Sequence, residues 1–303
     1  MKLNSKRIVV TGGAGFIGSH LVRRLLVLGA QVTVLDNLRR GVKSEVPSDV
    51  EFLNLDIRDA ERLKSVLNGA EIVFHLAAQS NVLGATADLD YSFTTNVVGT
   101  YNVLSAALEE GATRVVFTSS REVYGEPARL PVAECSALVP KNAYGSSKLA
   151  GELYCRVFSN HGLDTVVLRL ANVYGKGDRD RVIPLFLERA TTHQPLLIFG
   201  TGKILDFVWV GQVVDALITA AFIPPTETAI NVGTGHGTSI EELARRIKKL
   251  TASSSAIEYL PSRSIEVDRF VADTTLAKKL LNYRPPTSPL EHLTELHDAL
   301  PAS

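Results

Sequence analysis

The sequence predicts an α/β protein with a doubly wound parallel sheet and a smaller C-terminal α/β domain. Three observations support this fold class. Strands and helices alternate through the first half of the chain, a glycine-rich turn joins the first strand to the first helix, and the second half loses this rhythm. We predict a first domain at 1–171 and a second at 172–303, and the large sheet can borrow strands from the second domain.

In the first half, short apolar runs that fit buried strands alternate with stretches whose apolar residues recur at helical spacing. Asp59 suits a helix N-cap, and Gly111 suits the end of a helix. The nearly continuous apolar run at 71–78 is typical of a parallel strand covered on both faces. The predicted strands are 7–10, 31–35, 50–56, 71–78, 114–120 and 164–170, and the predicted helices are 19–28, 59–67, 91–110 and 143–160.

The second half is less regular. Helical spacing is present at 183–192, 213–221, 239–250 and 274–281, and short strands are predicted at 196–199 and 207–210. Proline pairs at 224–225 and 285–286 mark loops, because proline fits neither a helix interior nor a central strand. We expect this half to form the smaller domain.

The turn between the first strand and the first helix carries Gly12, Gly15 and Gly18. Their spacing allows a sharp turn, close approach to a pyrophosphate and tight packing of the helix on its strand, and the helix N-terminus attracts phosphate. Asp36 ends the second strand at about the 20-residue spacing of a ribose-binding carboxylate. The pattern predicts a Rossmann-type dinucleotide site. Asp36 favours NAD over NADP, although Arg39 and Arg40 could accept a 2′-phosphate.

Composition limits the other possibilities. Lys plus Arg (32) equals Asp plus Glu (32), so no overall charge favours nucleic acid or an anionic membrane. No window approaches the ~18 apolar residues of a membrane span, and residues 1–7 contain no apolar signal segment. Cys135 and Cys155 are too few for a disulfide framework or a CxxC metal site. We expect a cytoplasmic protein without a structural metal.

Two further stretches carry groups suited to catalysis. Ser119 and Ser120 end a predicted parallel strand, at the edge where open α/β sheets bind ligands. Tyr144 and Lys148 share one face of a helix because they lie four residues apart. A nearby ammonium and an oxidised nicotinamide would lower the phenol pKa from ~10, and a serine could hold the substrate hydroxyl. The alternative is an exposed helical pair without a catalytic role.

These stretches, with further motifs, resemble the extended short-chain dehydrogenase/reductase family, in particular nucleotide-sugar epimerases of the UDP-glucose 4-epimerase type and their dehydratase relatives. The matching segments cover most of the chain. They are Thr11 to Leu21, Asp36-Asn37, Asp56-Ile57, His75 to Gln79, Asn96 to Thr100, Ser119-Ser120, Val123 to Gly125, Tyr144 with Lys148, Arg169 through Asn172 to Gly175, Asp206 to Val208 and Ala272 to Thr274.

The resemblance implies roles for individual residues. It implies catalytic roles for Ser120, Tyr144 and Lys148, and substrate contacts for Asn172 and Arg263. The implied NAD contacts are Gly12, Gly15, Phe16, Ile17, Gly18, Asp36, Asn37, Asp56, Ile57, Leu76, Ala77, Ala78, Asn96, Ser119, Tyr144 and Lys148.

The mechanism implied by the resemblance removes hydride from C4 of a nucleotide sugar, most simply a UDP-sugar, while Tyr144 takes the hydroxyl proton. The 4-keto sugar then turns and takes the hydride back on its other face. Relatives pair as homodimers through a four-helix bundle, which corresponds here to the helices at 91–110 and 143–160.

The chain departs from its relatives at two positions. Leu205 stands where they usually carry a diphosphate-binding arginine; Lys176, Arg179 and Arg181 are either substitutes or a solvated basic loop. Glu122 is more typical of 4,6-dehydratases and UDP-glucuronate decarboxylases. A dehydratase needs a base for the C5 proton, and a carboxylate at this position could supply it.

Three functions follow from these departures. Dehydratases of the Asp-Glu type have an aspartate at the position of Arg121, so this chain lacks one of their two acids. Glu122 could also have a structural role here, as an ion-pair partner of Arg121. We therefore place a C4 epimerase ahead of a dehydratase or decarboxylase. A cofactor-sensing binding module is disfavoured because Tyr144 and Lys148 are both present.

Overall fold

The computed structural model describes residue 3, residues 6–286 and residues 288–299. The N-terminal stretch at 1–7, which we expect to contain no signal segment, includes residues 1, 2, 4 and 5, which lie outside the described residues. The strands are β1 (Arg7–Thr11), β2 (Gln31–Asp36), β3 (Glu51–Asn54), β4 (Ile72–His75), β5 (Arg114–Ser120), β6 (Asp164–Leu170), β7 (Asn172–Tyr174), β8 (Leu196–Phe199), β9 (Ile204–Trp209), β10 (Ile230–Val232), β11 (Gly237–Ser239), β12 (Ile257–Leu260) and β13 (Arg269–Phe270).

The helices alternate with these strands through the first half and continue into the second. They are α1 (Phe16–Val27), α2 (Ala60–Leu67), α3 (Val82–Ala87), α4 (Leu89–Phe93), α5 (Thr100–Glu109), α6 (Ala143–Asn160), α7 (Val182–Thr191), α8 (Val210–Ala220), α9 (Ile240–Leu250), α10 (Thr275–Leu281) and α11 (Leu293–Asp298). Among the described residues, no helix is both long and apolar enough to cross a membrane.

A seven-stranded parallel sheet confirms the predicted fold class. Its order is β10-β6-β5-β4-β1-β2-β3, and every neighbouring pair is parallel. Alternation along β1 sends Ile8 and Val10 into the core beneath α1 and α8, and Val9 into the core beneath α2, α5 and α6. Both faces are therefore covered. β10 comes from the second half of the chain, and the division at residue 171 remains a prediction.

The second half builds a smaller sheet around β9, which pairs with β7, β11 and β13, while β8 pairs with β12. The buried carboxylate of Asp206 on β9 accepts hydrogen bonds from the backbone N–H groups of Thr234, Gly235 and Ala272, and from the Thr234 hydroxyl. This carboxylate therefore joins β9 to the loop after β10 and to the segment after β13.

Local patterns located the long elements better than the short ones. The predicted bounds of β5, α6, β6 and β8 are confirmed residue by residue. The helix predicted at 91–110 is instead α4, a wider π-helical turn at Thr94–Gly99, and α5. The elements that the sequence did not predict are the helices α3 and α11, of six residues each, and the strands β7, β10, β11, β12 and β13, of two to four residues each. Segments this short show little hydrophobic periodicity.

His75 joins β4 to two neighbouring elements from a fully buried position. Its Nδ1 lies 2.7 Å from the Thr11 hydroxyl on β1, and its Nε2 lies 2.9 Å from the Thr100 hydroxyl on α5. A neutral imidazole satisfies both contacts with one donor and one acceptor nitrogen. Burial, with a smaller effect of the Lys148 charge, lowers the pKa of His75 to about 3.

His75 should make stability depend on pH. His75 has a pKa of 6.5 in the unfolded chain and of about 3 in the folded protein. Between these two pH values the imidazole is protonated in the unfolded chain but neutral in the folded protein, so the free energy of unfolding decreases as pH falls. Between pH 7 and pH 4, wild type should lose about 3 kcal/mol more unfolding free energy than His75→Gln. Urea unfolding at the two pH values measures this difference. Equal losses would contradict the prediction.

Candidate active site

A cavity of about 970 Å³ opens where the carboxyl ends of the central strands meet the second half of the chain. Most of the predicted site residues line it. They are Gly12, Gly15, Phe16, Ile17, Gly18, Asp36, Asn37, Ile57, Leu76, Ala77, Ala78, Ser119, Ser120, Glu122, Tyr144, Lys148, Asn172 and Arg263. Asp56 and Asn96 are not in its lining.

The glycine turn is closely packed at one end of the cavity. Gly12 has a φ of 74°, and a Cβ there would lie 2.7 Å from the Ala77 nitrogen. A Cβ on Gly18 would lie 2.1 Å from the Gly12 oxygen, so only glycine allows this approach of α1 to β1. α1 begins after Gly15 without a side-chain cap and without an acid in its first turn. Its N-terminus is therefore available to a phosphate.

The Asp36 carboxylate lies at the end of β2 beside this turn. Oδ2 accepts from the Ala14 N–H at 3.1 Å, and Oδ1 accepts from the Leu38 N–H at 2.9 Å. Burial raises the pKa of Asp36 against the effect of these two bonds. A carboxylate can accept about four hydrogen bonds, so lone pairs remain for a ribose diol.

Both arginines that follow Asp36 have acidic partners. The Arg39 Nη2 lies 3.1 Å from Asp88 Oδ2, and Arg40 pairs with Asp180 across the mouth of the cavity. These pairings reduce the positive charge available to a 2′-phosphate.

Asp56 and Asn96 support the walls of the cavity from behind. Asp56 Oδ2 accepts from Asn37 Nδ2 at 2.9 Å, and the hydrogen bond from Arg58 lowers the Asp56 pKa to about 2. Asn96 exchanges two hydrogen bonds with the Gln79 backbone and donates to Ser147 on α6 at 2.9 Å. In this structure Asn96 ties the 76–79 segment to α6.

Ser120, Tyr144 and Lys148 meet in the middle of the cavity. The Lys148 Nζ donates to the Thr118 carbonyl at 2.8 Å and lies 5.9 Å from the centre of the Tyr144 ring. Burial lowers the pKa of Lys148 to about 8. Burial also raises the pKa of Tyr144 to about 12, against the smaller lowering effects of Arg181, the Ser120 hydroxyl and Arg121.

Glu122 is two residues after Ser120 and lies in a set of four side chains joined by one ion pair and two hydrogen bonds. Its Oε1 lies 2.9 Å from Arg121 Nη2, and its Oε2 accepts from Asn142 Nδ2 at 2.8 Å. The Arg121 Nε also donates to Asn172 Oδ1 at 2.7 Å. Each oxygen of the Glu122 carboxylate therefore has its own donor, and Arg121 connects Glu122 to a predicted substrate contact.

The far end of the cavity contains paired charges. Leu205 and Lys203 of the β9 region both line it. The Lys203 Nζ lies 2.5 Å from one oxygen of Glu266, and Arg263 Nη1 lies 3.0 Å from the other. Arg263 also stacks on Phe199, with 3.5 Å from its guanidinium carbon to the ring centre. Lys203 was not predicted; its position two residues from Leu205 along a strand was the available signal.

Of the basic loop residues, Arg179 and Arg181 line the cavity, whereas Lys176 does not. Arg181 Nη1 lies 2.9 Å from the buried Asp178, and its guanidinium carbon lies 5.6 Å from the centre of the Phe16 ring. Asp178 was not predicted either, because its burial depends on the path of the loop. In the described part of the chain, no cluster of three His, Cys, Asp or Glu side chains suits a metal ion.

Comparison with known proteins agrees with this architecture. The NAD dependent epimerase/dehydratase family matches residues 8–233. UDP-glucose 4-epimerase of Mycolicibacterium smegmatis is 38% identical over 92% of this chain and 93% of its own. UDP-N-acetyl-alpha-D-glucosaminuronate decarboxylase of Bacillus cytotoxicus is 32% identical over 93% of this chain and 94% of its own length.

A solved structure matches over nearly the same length. UDP-glucose 4-epimerase of Thermotoga maritima, crystallised with UDP-glucose, superposes with a TM-score of 0.93 at 33% identity, over 96% of this chain and 97% of its own. The fold is thus that of a known enzyme along almost the whole sequence. This chain belongs to the NAD-dependent epimerase/dehydratase family of enzymes.

Proposed function

We propose that the protein is an NAD-dependent C4 epimerase of a UDP-sugar of the UDP-glucose/UDP-galactose type. One observation carries the choice of epimerase: Arg121 Nη2 lies 2.9 Å from one oxygen of Glu122 and Asn142 donates to the other, so the C5 proton would have to compete with these neighbours for the carboxylate. A dehydratase needs a carboxylate free to take the C5 proton. The M. smegmatis and T. maritima relatives, which are named UDP-glucose 4-epimerases, support the same choice.

The residues present fit NAD, and we propose that 1–171 holds it. The glycine turn leaves room for a pyrophosphate, Asp36 keeps lone pairs for the ribose hydroxyls, and the wall at 76–78 borders the same space. Bound NAD supplies the hydride acceptor and donor. Asp36 disfavours a 2′-phosphate by charge repulsion.

Three side chains manage the C4 hydroxyl in this proposal. Ser120 accepts or donates a hydrogen bond that holds the C4 hydroxyl. Tyr144 takes the proton of that hydroxyl as hydride leaves C4, and gives the proton back to O4 when hydride returns to the other face of the ketone. Burial is the largest cause of the raised Tyr144 pKa, which stays at about 12 even with Arg181 and Arg121 nearby, so deprotonation at neutral pH needs further positive charge. Lys148, buried nearby, contributes positive charge and a donor for a ribose hydroxyl.

We propose that 172–303 binds the UDP-sugar, with Asn172 and Arg263 in contact with it. The supporting observation is that both line the cavity beyond Tyr144. Lys203, Leu205 and Arg263 all line the cavity, so Lys203 and Arg263 are cations that could serve in place of the missing arginine. Their shared partner Glu266 would have to yield part of its pairing to a diphosphate.

A dehydratase or decarboxylase is the alternative activity. The B. cytotoxicus relative, which is named a decarboxylase, favours it, as does the position of Glu122 next to the predicted C4 site. In a dehydratase, the Glu122 carboxylate would have to give up its contact with Arg121 or Asn142 to take the C5 proton. In a decarboxylase, the bond from C5 to the carboxylate would break instead, with release of CO2 and no removal of the C5 proton.

We also propose a homodimer that pairs α4–α5 and α6 with their counterparts. Apolar side chains remain exposed on these helices, and a second copy would cover them. They are Leu89, Phe93, Val98, Tyr101, Leu153, Tyr154 and Val157. A cytoplasmic location is proposed from cysteine usage; Cys135 and Cys155 are both free thiols.

Cofactor choice can be measured directly. NAD should bind at least about tenfold more tightly than NADP, a difference of about 1.4 kcal/mol, because the Asp36 carboxylate repels a 2′-phosphate. Calorimetric titration of the apoprotein gives both constants, and Asp36→Asn should narrow the difference. Tighter binding of NADP by wild type would show that this assignment is wrong.

Removing the phenol hydroxyl should stop catalysis without unfolding the protein. Tyr144→Phe should keep NAD binding and lose turnover by about 10²–10⁴-fold, because only the acid/base group is lost. Tyr259→Phe, at an exposed position, is the matched control and should keep full activity. Product formation from UDP-glucose or UDP-galactose is measured by NMR. An active Tyr144→Phe enzyme would mean that another group takes the proton.

The two activities differ in the fate of the C5 proton. An epimerase never exchanges it, so Glu122→Gln should change the rate only modestly and wild-type product in D₂O should carry no deuterium at C5. A dehydratase should lose about 10²–10⁴-fold on the same substitution. NMR of the products formed from a panel of UDP-, dTDP- and GDP-sugars measures both the rate of product formation and the deuterium content at C5. A 4-keto-6-deoxy product with deuterium at C5 would overturn the epimerase proposal.

A further inference from the structure

Arg121 holds two groups that face the reacting sugar in the proposed function. Its Nη2 lies 2.9 Å from Glu122 Oε1, and its Nε donates to Asn172 Oδ1 at 2.7 Å. The side chains of Arg121 and Glu122 are only 11% and 6% exposed. Asn142 takes the second Glu122 oxygen at 2.8 Å. The guanidinium is therefore held in place, and so is the carboxylate beside it.

This arrangement has a consequence for the 4-keto intermediate. Once C4 is a ketone, the C5–H bond becomes acidic because the electron pair can delocalise onto O4. C5 is the ring neighbour of C4, and Glu122 is two residues from Ser120, which holds the C4 hydroxyl in our proposal. An unpaired carboxylate there could take the C5 proton. In this structure Arg121 Nη2 lies 2.9 Å from one Glu122 oxygen and Asn142 donates to the other, so a proton taken from C5 would have to compete with one of these neighbours.

We propose that Arg121 is a positioning residue that sets reaction specificity: it keeps Glu122 from acting as a base at C5 and orients Asn172 toward the sugar. The inference rests on the proposed function. Because Asn172 Oδ1 accepts from Arg121, its amide N–H groups are left to donate to a ligand. One guanidinium thus suppresses a side reaction and supports substrate binding.

Removal of Arg121 should expose the suppressed step. In Arg121→Ala, the C5–H bond of the 4-keto sugar breaks, the proton moves to the Glu122 carboxylate, and the electron pair forms an enolate with its charge on O4. In D₂O the exchanged carboxyl returns a deuteron to C5. Deuterium at C5 of recovered UDP-glucose and UDP-galactose should rise by about 10²-fold over wild type.

Three variants complete the experiment. Arg121→Lys keeps the charge beside Glu122 and should leave C5 deuterium at the wild-type level. Arg121→Ala with Glu122→Gln should return to that level, because the base is gone. Arg121→Gln replaces Arg121→Ala if the latter does not fold, since an amide can still bond to Asn172.

The outcomes separate the inference from the function on which it rests. Folded Arg121→Ala or Arg121→Gln that epimerises without C5 deuterium would overturn the inference alone. So would C5 deuterium that persists without Glu122, or loss of all C4 chemistry in both single variants. Wild type that fails to epimerise, or that itself exchanges C5, would overturn the proposed function and the inference with it.

Discussion

The buried ion pair of Glu152 and Arg169 is the interaction on which the arrangement of the site depends. Arg169 on β6 donates to both oxygens of Glu152 on α6, and Ser119 on β5 donates to the same carboxylate. Arg169 also donates to the Tyr124 hydroxyl. Losing one partner of such a pair typically costs about 3–5 kcal/mol. The helix that carries the tyrosine and lysine is thereby fixed against the strand that carries the serines.

The same network continues into the second half of the chain. The Tyr124 hydroxyl donates to Asn231 on β10, whose side chain in turn donates to the Val132 carbonyl. Because β10 pairs with β6, the edge of the large sheet is built from the part of the sequence that we propose binds the sugar. The two ends of the cavity are therefore parts of one packed body, and their distance is set by backbone pairing.

Electrostatics inside the cavity follow from burial and pairing together. Burial is the largest cause of the raised Tyr144 pKa and of the lowered Lys148 pKa, so it favours the neutral form of both side chains. The cations near the tyrosine, Arg121 and Arg181, are each bound to a carboxylate. Glu122 contacts Arg121 through one oxygen and Asn142 through the other.

The sequence by itself determined the fold class, the dinucleotide turn and the tyrosine–lysine pair, because those signals lie within a few residues of one another and follow from backbone geometry. Only the tertiary structure decided that β10 completes the large sheet, that Asn96 bonds to Gln79 and Ser147 outside the cavity lining, and that Glu122 contacts both Arg121 and Asn142. These outcomes depend on contacts between segments far apart in the chain. The residue type determines which groups a side chain can bind, whereas tertiary packing determines which of those groups lie within reach of that side chain.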